Sequence, residues 1–219
     1  MMADSTPPSP RPCISAELRY SAFNSHKIAS SWIDNVIPLY AHVLTPKTLK
    51  PGKHPVLIRF HGGGLVEGVA LGDWFRSYIL AFAERESAII ISPEYRMLPE
   101  ANGWEMLDDL RAFLDCLTAD GGLKALGKHL DLDNVHLDID RTAITAENAG
   151  AYLAIHALFQ QPTQKLNIRA LMLQSPMLDL IDAHFSGQRT SFPTTIGDTP
   201  TYPRDTFEQH LATLPQGRS

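Results

Sequence analysis

Cysteine is scarce in this chain: Cys13 and Cys116 are its only two. Two thiols cannot form a disulfide framework, and they read as ordinary reduced side chains in a reducing compartment. Long apolar runs are missing too, and no segment is hydrophobic enough, for long enough, to cross a bilayer. The N-terminal MMADSTPPSPRP has no cationic region leading into an apolar one, so it does not read as a signal peptide. Asn-x-Ser/Thr acceptor sites are absent. Positive charge is in deficit: 19 Lys and Arg stand against 24 Asp and Glu, for a formal net charge of -5. General nucleic-acid binding needs a basic surface that displaces counterions from phosphates, which this balance does not supply. The expectation is a soluble cytoplasmic protein with no membrane span and no nucleic-acid partner.

What the chain does have is the material for a buried core. Of its 219 residues, 44% are hydrophobic and 20% charged, which fits one α/β-sized domain. Residues 1–12 are proline-rich and read as a disordered tail. Residues 13–182 read as the domain, and residues 183–219 as an irregular tail holding one short helix near Arg204 to Leu214. Within the domain, CISAELRYSAF and VIPLYAHVL are candidate early strands. HPVLIRF, SAIII, DRTAIT and IRALMLQ are apolar strands separated by helical patterns. In WEMLDDLRAFLDCL the residues Met106, Leu110, Phe113, Leu114 and Leu117 share one helix face. Strand–helix alternation of this kind predicts an α/β fold, with a mostly parallel sheet and helices on both faces. Such sheets bind ligands beyond the carboxyl ends of their strands.

Two motifs fall at that end. HGGG, His61 to Gly64, follows a strand; glycines there let backbone N–H groups point into a ligand, as an oxyanion hole requires. ITAENAGAYLA, Ile144 to Ala154, sits at a strand-to-helix junction. Its AENAG core matches the G-x-S-x-G nucleophile elbow, with Ala146 first, Asn148 at the nucleophile position and Gly150 last. Asparagine tolerates the left-handed backbone of such a turn but has no hydroxyl with which to attack.

HGGG, SPEYRMLPEA from Ser92, ITAENAGAYLA, and LQSPMLDL from Leu173 occur in that order. They resemble the motifs of the α/β-hydrolase fold-3 family, the hormone-sensitive-lipase-like carboxylesterases. The likeness runs from about Tyr40 to Leu180, and its Met97–Gly103 wording is similar to fungal members. The resemblance implies an oxyanion hole from Gly62, Gly63, Gly64 and the N–H of Ala149. It places His61 and Glu147 beside the ligand and implies structural support from Tyr95, Arg96, Pro99 and Glu100. It also implies a small-molecule acyl ester or carboxylate as partner, with no cofactor.

Two departures from the family pattern decide the expected function. Asn148 replaces the serine, and the strands that carry the family's Asp and His are not evident. Asp198, Asp205, His184 and His210 lie outside any strand–loop setting. The expectation is a carboxylesterase-like protein inactive or severely impaired in ester hydrolysis. The alternatives are a carboxylate- or ester-binding module, or a non-hydrolytic catalyst in secondary metabolism using Glu147 and His61 as acid and base. Other site readings fail. DLDNVHLDID puts His136 and Thr142 where a calcium loop needs Gly and Glu, and the histidines lack zinc-ligand spacing. If the sheet ends at the strand Ala170 to Met177, that edge predicts a homodimer, poor solubility, or coverage by the C-terminal tail.

Overall fold

The computed structural model describes residues 20–33, 37–72, 75–118, 134–159, 166–179 and 204–213. They form six strands, β1 (Phe23–Ile33), β2 (Ile37–Pro46), β3 (Gly52–Phe60), β4 (Ile89–Pro93), β5 (Val135–Glu147) and β6 (Ile168–Gln174). Four helices accompany them: α1 (Ser77–Glu86), α2 (Gly103–Thr118), α3 (Gly150–Phe159) and α4 (Arg204–Thr213). The expected disordered tail at residues 1–12 lies outside the described residues, as does most of the segment from 183 onward.

One sheet runs in the order β1-β2-β4-β3-β5-β6. β2 is antiparallel to β1 and β4, while β3–β4, β3–β5 and β5–β6 are parallel. The alternation of β3 sorts its side chains between two layers. Val56, Ile58 and Phe60 pack in the cluster that contains α2 and α3. Leu57 packs in the other, with Phe75, Ile79, Leu80 and Ala83 at and within α1. Helices therefore cover both faces, as parallel strands require. The five residues of β4 are all buried.

The amphipathic helix appears where its periodicity predicts. Met106, Leu110, Phe113, Leu114 and Leu117 of α2 are all buried. Its start is a capping box: Asn102 Oδ1 accepts from Trp104 N and Glu105 N at 3.0 and 3.1 Å, and Glu105 Oε2 accepts from Asn102 N at 2.8 Å. Most of the candidate first strand, residues 13–19, lies outside the described residues; the first strand described is β1. It begins at Phe23, where CISAELRYSAF ends. Asn24, Ser25, Lys27 and Ala29 are exposed, so this edge strand lacks the apolar alternation that marks a half-buried one. β5 is also longer than DRTAIT and takes in VHLDID. Its pairing with β3 shifts register between Pro55 and Val56, passing from Asp138 to Thr142. Proline has no N–H for the ladder, which suits an irregularity there.

A buried ion pair ties β3 to the end of β5. Arg59 is 1% exposed. Its Nη2 lies 2.9 Å from Glu147 Oε2, Nε reaches Oε1 at 3.4 Å, and Nη1 donates to Ala70 O at 2.7 Å. Its guanidinium lies 4.2 Å from the centre of the Phe75 ring. Glu147→Ala would strand this cation in the core. Urea denaturation should show a loss of about 3–5 kcal/mol, while the Arg59→Met/Glu147→Leu pair should lose much less.

Gly150 lets α3 start directly against β3: a Cβ there would press into the carbonyl oxygens of Phe60 and His61. Gly150→Ala should lower stability by about 1–3 kcal/mol through overpacking. A Gly150→Ala protein with an unchanged denaturation midpoint would contradict that contact.

Candidate active site

The turn at the end of β5 is strained and pinned. Asn148 has φ 49°, the left-handed region in which asparagine is enriched among non-glycine residues. Its N–H donates to Gln174 O at 3.0 Å, and its carbonyl accepts from Met177 N at 3.0 Å. The apex is thus held against the turn after β6, where Ser175 has φ 47°. α3 follows at once, with Ala151 N donating to Asn148 O at 3.2 Å. Strand, sharp turn and helix form the elbow that the motif predicts.

The loop after β3 lies against this apex. A Cβ on Gly62 would sit 2.9 Å from Glu147 O and 3.0 Å from Asn148 Cβ. Gly63 and Gly64 have φ values of 121° and 65°, conformations that cost glycine little. Val66 N and Glu67 N both donate to Gly63 O, at 3.1 and 3.0 Å. Gly64 N donates to Asn148 Oδ1 at 3.0 Å, joining the two motifs across 84 positions of chain. The N–H groups of Gly63 and Ala149 have no hydrogen-bond acceptor among the described residues. The glycine loop and the elbow apex therefore meet, Gly62 against Glu147 and Asn148, and Gly64 at the Asn148 side chain.

Two predicted site residues are buried on partners within the chain. Glu147 is 6% exposed and its carboxylate is taken by Arg59. Burial raises its pKa, against the lowering pull of Arg59. His61 is 2% exposed, and its ring stacks on Tyr95 with centroids 4.3 Å apart. Its Nδ1 lies 2.8 Å from Gly62 O, which can only accept, so Nδ1 carries the hydrogen. Nε2 faces Glu94 Oε2 at 3.7 Å. Among the described residues, His61 thus bonds to its own loop and Glu147 to the sheet.

Sequence reasoning missed Arg59 and Glu94. A lone arginine inside the apolar run VLIRF was the available signal, because a charge on a buried strand demands a partner. Glu94 has no comparable signal. It accepts from Ala70 N at 3.0 Å and faces both His61 and His42, the latter at 3.6 Å. Its neighbours serve support. Tyr95 Oη donates to His61 O at 2.7 Å, and burial raises the phenol pKa so that it stays a donor. Arg96 grips Asp109 and Glu105 of α2. His210 on α4 pairs with Glu100 at 2.6 Å, and Asp205 lies on the same helix. His184 and Asp198 lie outside the described residues.

Burial sets the acid behaviour of this loop. It lowers the His61 pKa, with the Gly62 carbonyl and Glu94 pulling the other way. A histidine neutral in the fold but chargeable in the unfolded chain, near its ordinary 6.5, binds more protons when unfolded. Its contribution is therefore intact above that pH and declines below it. The urea midpoint should be lower at pH 5.5 than at 7.5, and His61→Gln should shrink that difference. His156, whose pKa is also lowered by burial, needs its own His156→Gln control.

Comparison with known proteins agrees with this geometry. The family profile described as an alpha/beta hydrolase fold matches residues 57–216. The chain is 30% identical over 171 residues to a probable carboxylesterase M8 of Phoma sp. (strain ATCC 20986 / MF5453), covering 75% of this chain and 48% of that protein. It is 28% identical over 120 residues to tabersonine synthase of Catharanthus roseus, covering 52% of this chain and 38% of that one. Esterase LipW from Mycobacterium marinum superposes with a TM-score of 0.59 at 21% identity, over 75% of this chain and 48% of that structure. The chain spans half or less of the length of these relatives. With the family profile matching well over half of it, this protein belongs to the α/β-hydrolase fold-3 family, among carboxylesterase-like members.

Proposed function

We propose that this chain is a carboxylesterase-like protein whose ester hydrolysis is severely impaired and whose oxyanion cradle persists. One observation carries the reading. Asn148 occupies the apex of the elbow, and its carboxamide oxygen lies 3.0 Å from Gly64 N. The amide nitrogen's lone pair is delocalised into the carbonyl, so it cannot open an ester as a serine alkoxide would. In a serine hydrolase, losing the nucleophile costs on the order of 10⁶ in kcat, leaving ~10³–10⁴ over water from the oxyanion hole and binding. Glu147 and His61, the nearest candidate acid and base, are engaged elsewhere. The likeness to a protein named tabersonine synthase supports a second reading, in which the same donors polarise a carbonyl without hydrolysing it.

The test is p-nitrophenol release from p-nitrophenyl acetate and butyrate by wild type and Asn148→Ser. Wild type should show no saturable turnover. The serine variant should gain less than about tenfold, because supplying the nucleophile does not supply its base. Saturable wild-type turnover that disappears in Asn148→Gly would overturn the reading.

A further inference from the structure

The cradle has an occupant of its own. Gly64 N–H can bond only an acceptor, and the acceptor present is the side-chain oxygen of Asn148 at 3.0 Å. That oxygen is a neutral amide carbonyl, the same kind of group that an acyl ligand would present to these donors. The neighbouring N–H groups of Gly63 and Ala149 have no acceptor among the described residues. Ala149 is fully buried, and a buried main-chain donor without a partner is rare enough to point to an acceptor from outside the chain.

We infer that Asn148 caps the cradle: its carboxamide fills one of three donors, and a carboxylate ligand takes the site by displacing it. The inference rests on the reading that the cradle, rather than a nucleophile, is the working part of this site. Among the described residues the Asn148 side chain makes one hydrogen bond, from Gly64 N to Oδ1, so the cap is held through Oδ1. Displacing it breaks one neutral hydrogen bond. An incoming carboxylate gains charge-assisted bonds to Gly63, Gly64 and Ala149, about twice as strong as neutral ones. The cap acts as a fixed tax on every ligand, because apparent affinity falls by the fraction of molecules that are uncapped. An ordinary hydrogen bond sets that tax at roughly three- to tenfold. A carboxylate overcomes it more readily than a neutral ester does.

The test uses butyrate, which has no ester bond, so the outcome is independent of any hydrolysis. Binding is followed through backbone amide shifts of Gly63, Gly64 and Ala149 in wild type, Asn148→Gly and Asn148→Asp. Glycine keeps the left-handed turn and removes the cap, so it should bind butyrate roughly three- to tenfold more tightly. Its free Gly64 amide should also move from the wild-type position. Aspartate keeps a cap and adds charge, so it should bind more weakly than wild type. Equal or weaker binding by Asn148→Gly, with its fold intact by the remaining amide shifts, would overturn the inference. So would a Gly64 amide that the substitution does not move. Wild-type ester turnover with tighter binding by Asn148→Gly would defeat the functional reading and leave the cap standing.

Discussion

The rest of the site depends on where Arg59 puts its charge. A guanidinium buried in the sheet must be met on every side or the fold loses several kcal/mol. Here Glu147 meets it from the end of β5, Ala70 O from the loop beyond HGGG, and the Phe75 ring from the start of α1. Ser92 Oγ joins from β4, donating to the carbonyls of both Arg59 and Ala70. Arg59 thereby ties β3 to β5 and to the loop beyond HGGG through its side chain, and to β4 through its main-chain carbonyl. Main-chain donors are useful only when two loops from different strands are held at a fixed separation, and this buried charge holds them.

That arrangement explains why so much of the machinery is backbone. Gly62 brings its loop against the elbow by having no side chain, and Gly150 does the same for α3. At position 148 these contacts reach no further than Cβ, an atom that every residue but glycine carries. The side chain at the apex can therefore change while strand, loop and helix stay put. A turn built from main-chain contacts keeps its shape when the side chain at its apex changes.

Legibility in the sequence followed locality. The HGGG loop and the elbow were legible because glycine spacing, a preceding strand and a following helix all lie within a dozen residues. The α2 face was legible because Met106 to Leu117 repeat at helical spacing. β1 was not legible, since Asn24, Ser25 and Lys27 face water and leave no apolar stripe to find. The elbow motif gives Glu147 no partner that can be read locally; only the fold reveals Arg59, 88 residues away. The bond from Gly64 to Asn148 spans a similar distance, and neither motif alone announces it.

The left-handed turn at Asn148 has a further consequence in the genetic code. Every asparagine codon lies one base from a serine codon, and Ser175 in this same chain adopts a left-handed backbone, at φ 47°. The hydroxyl is therefore a single base change away from an intact frame. A serine there would still need an acid and a base beside it to act as a nucleophile.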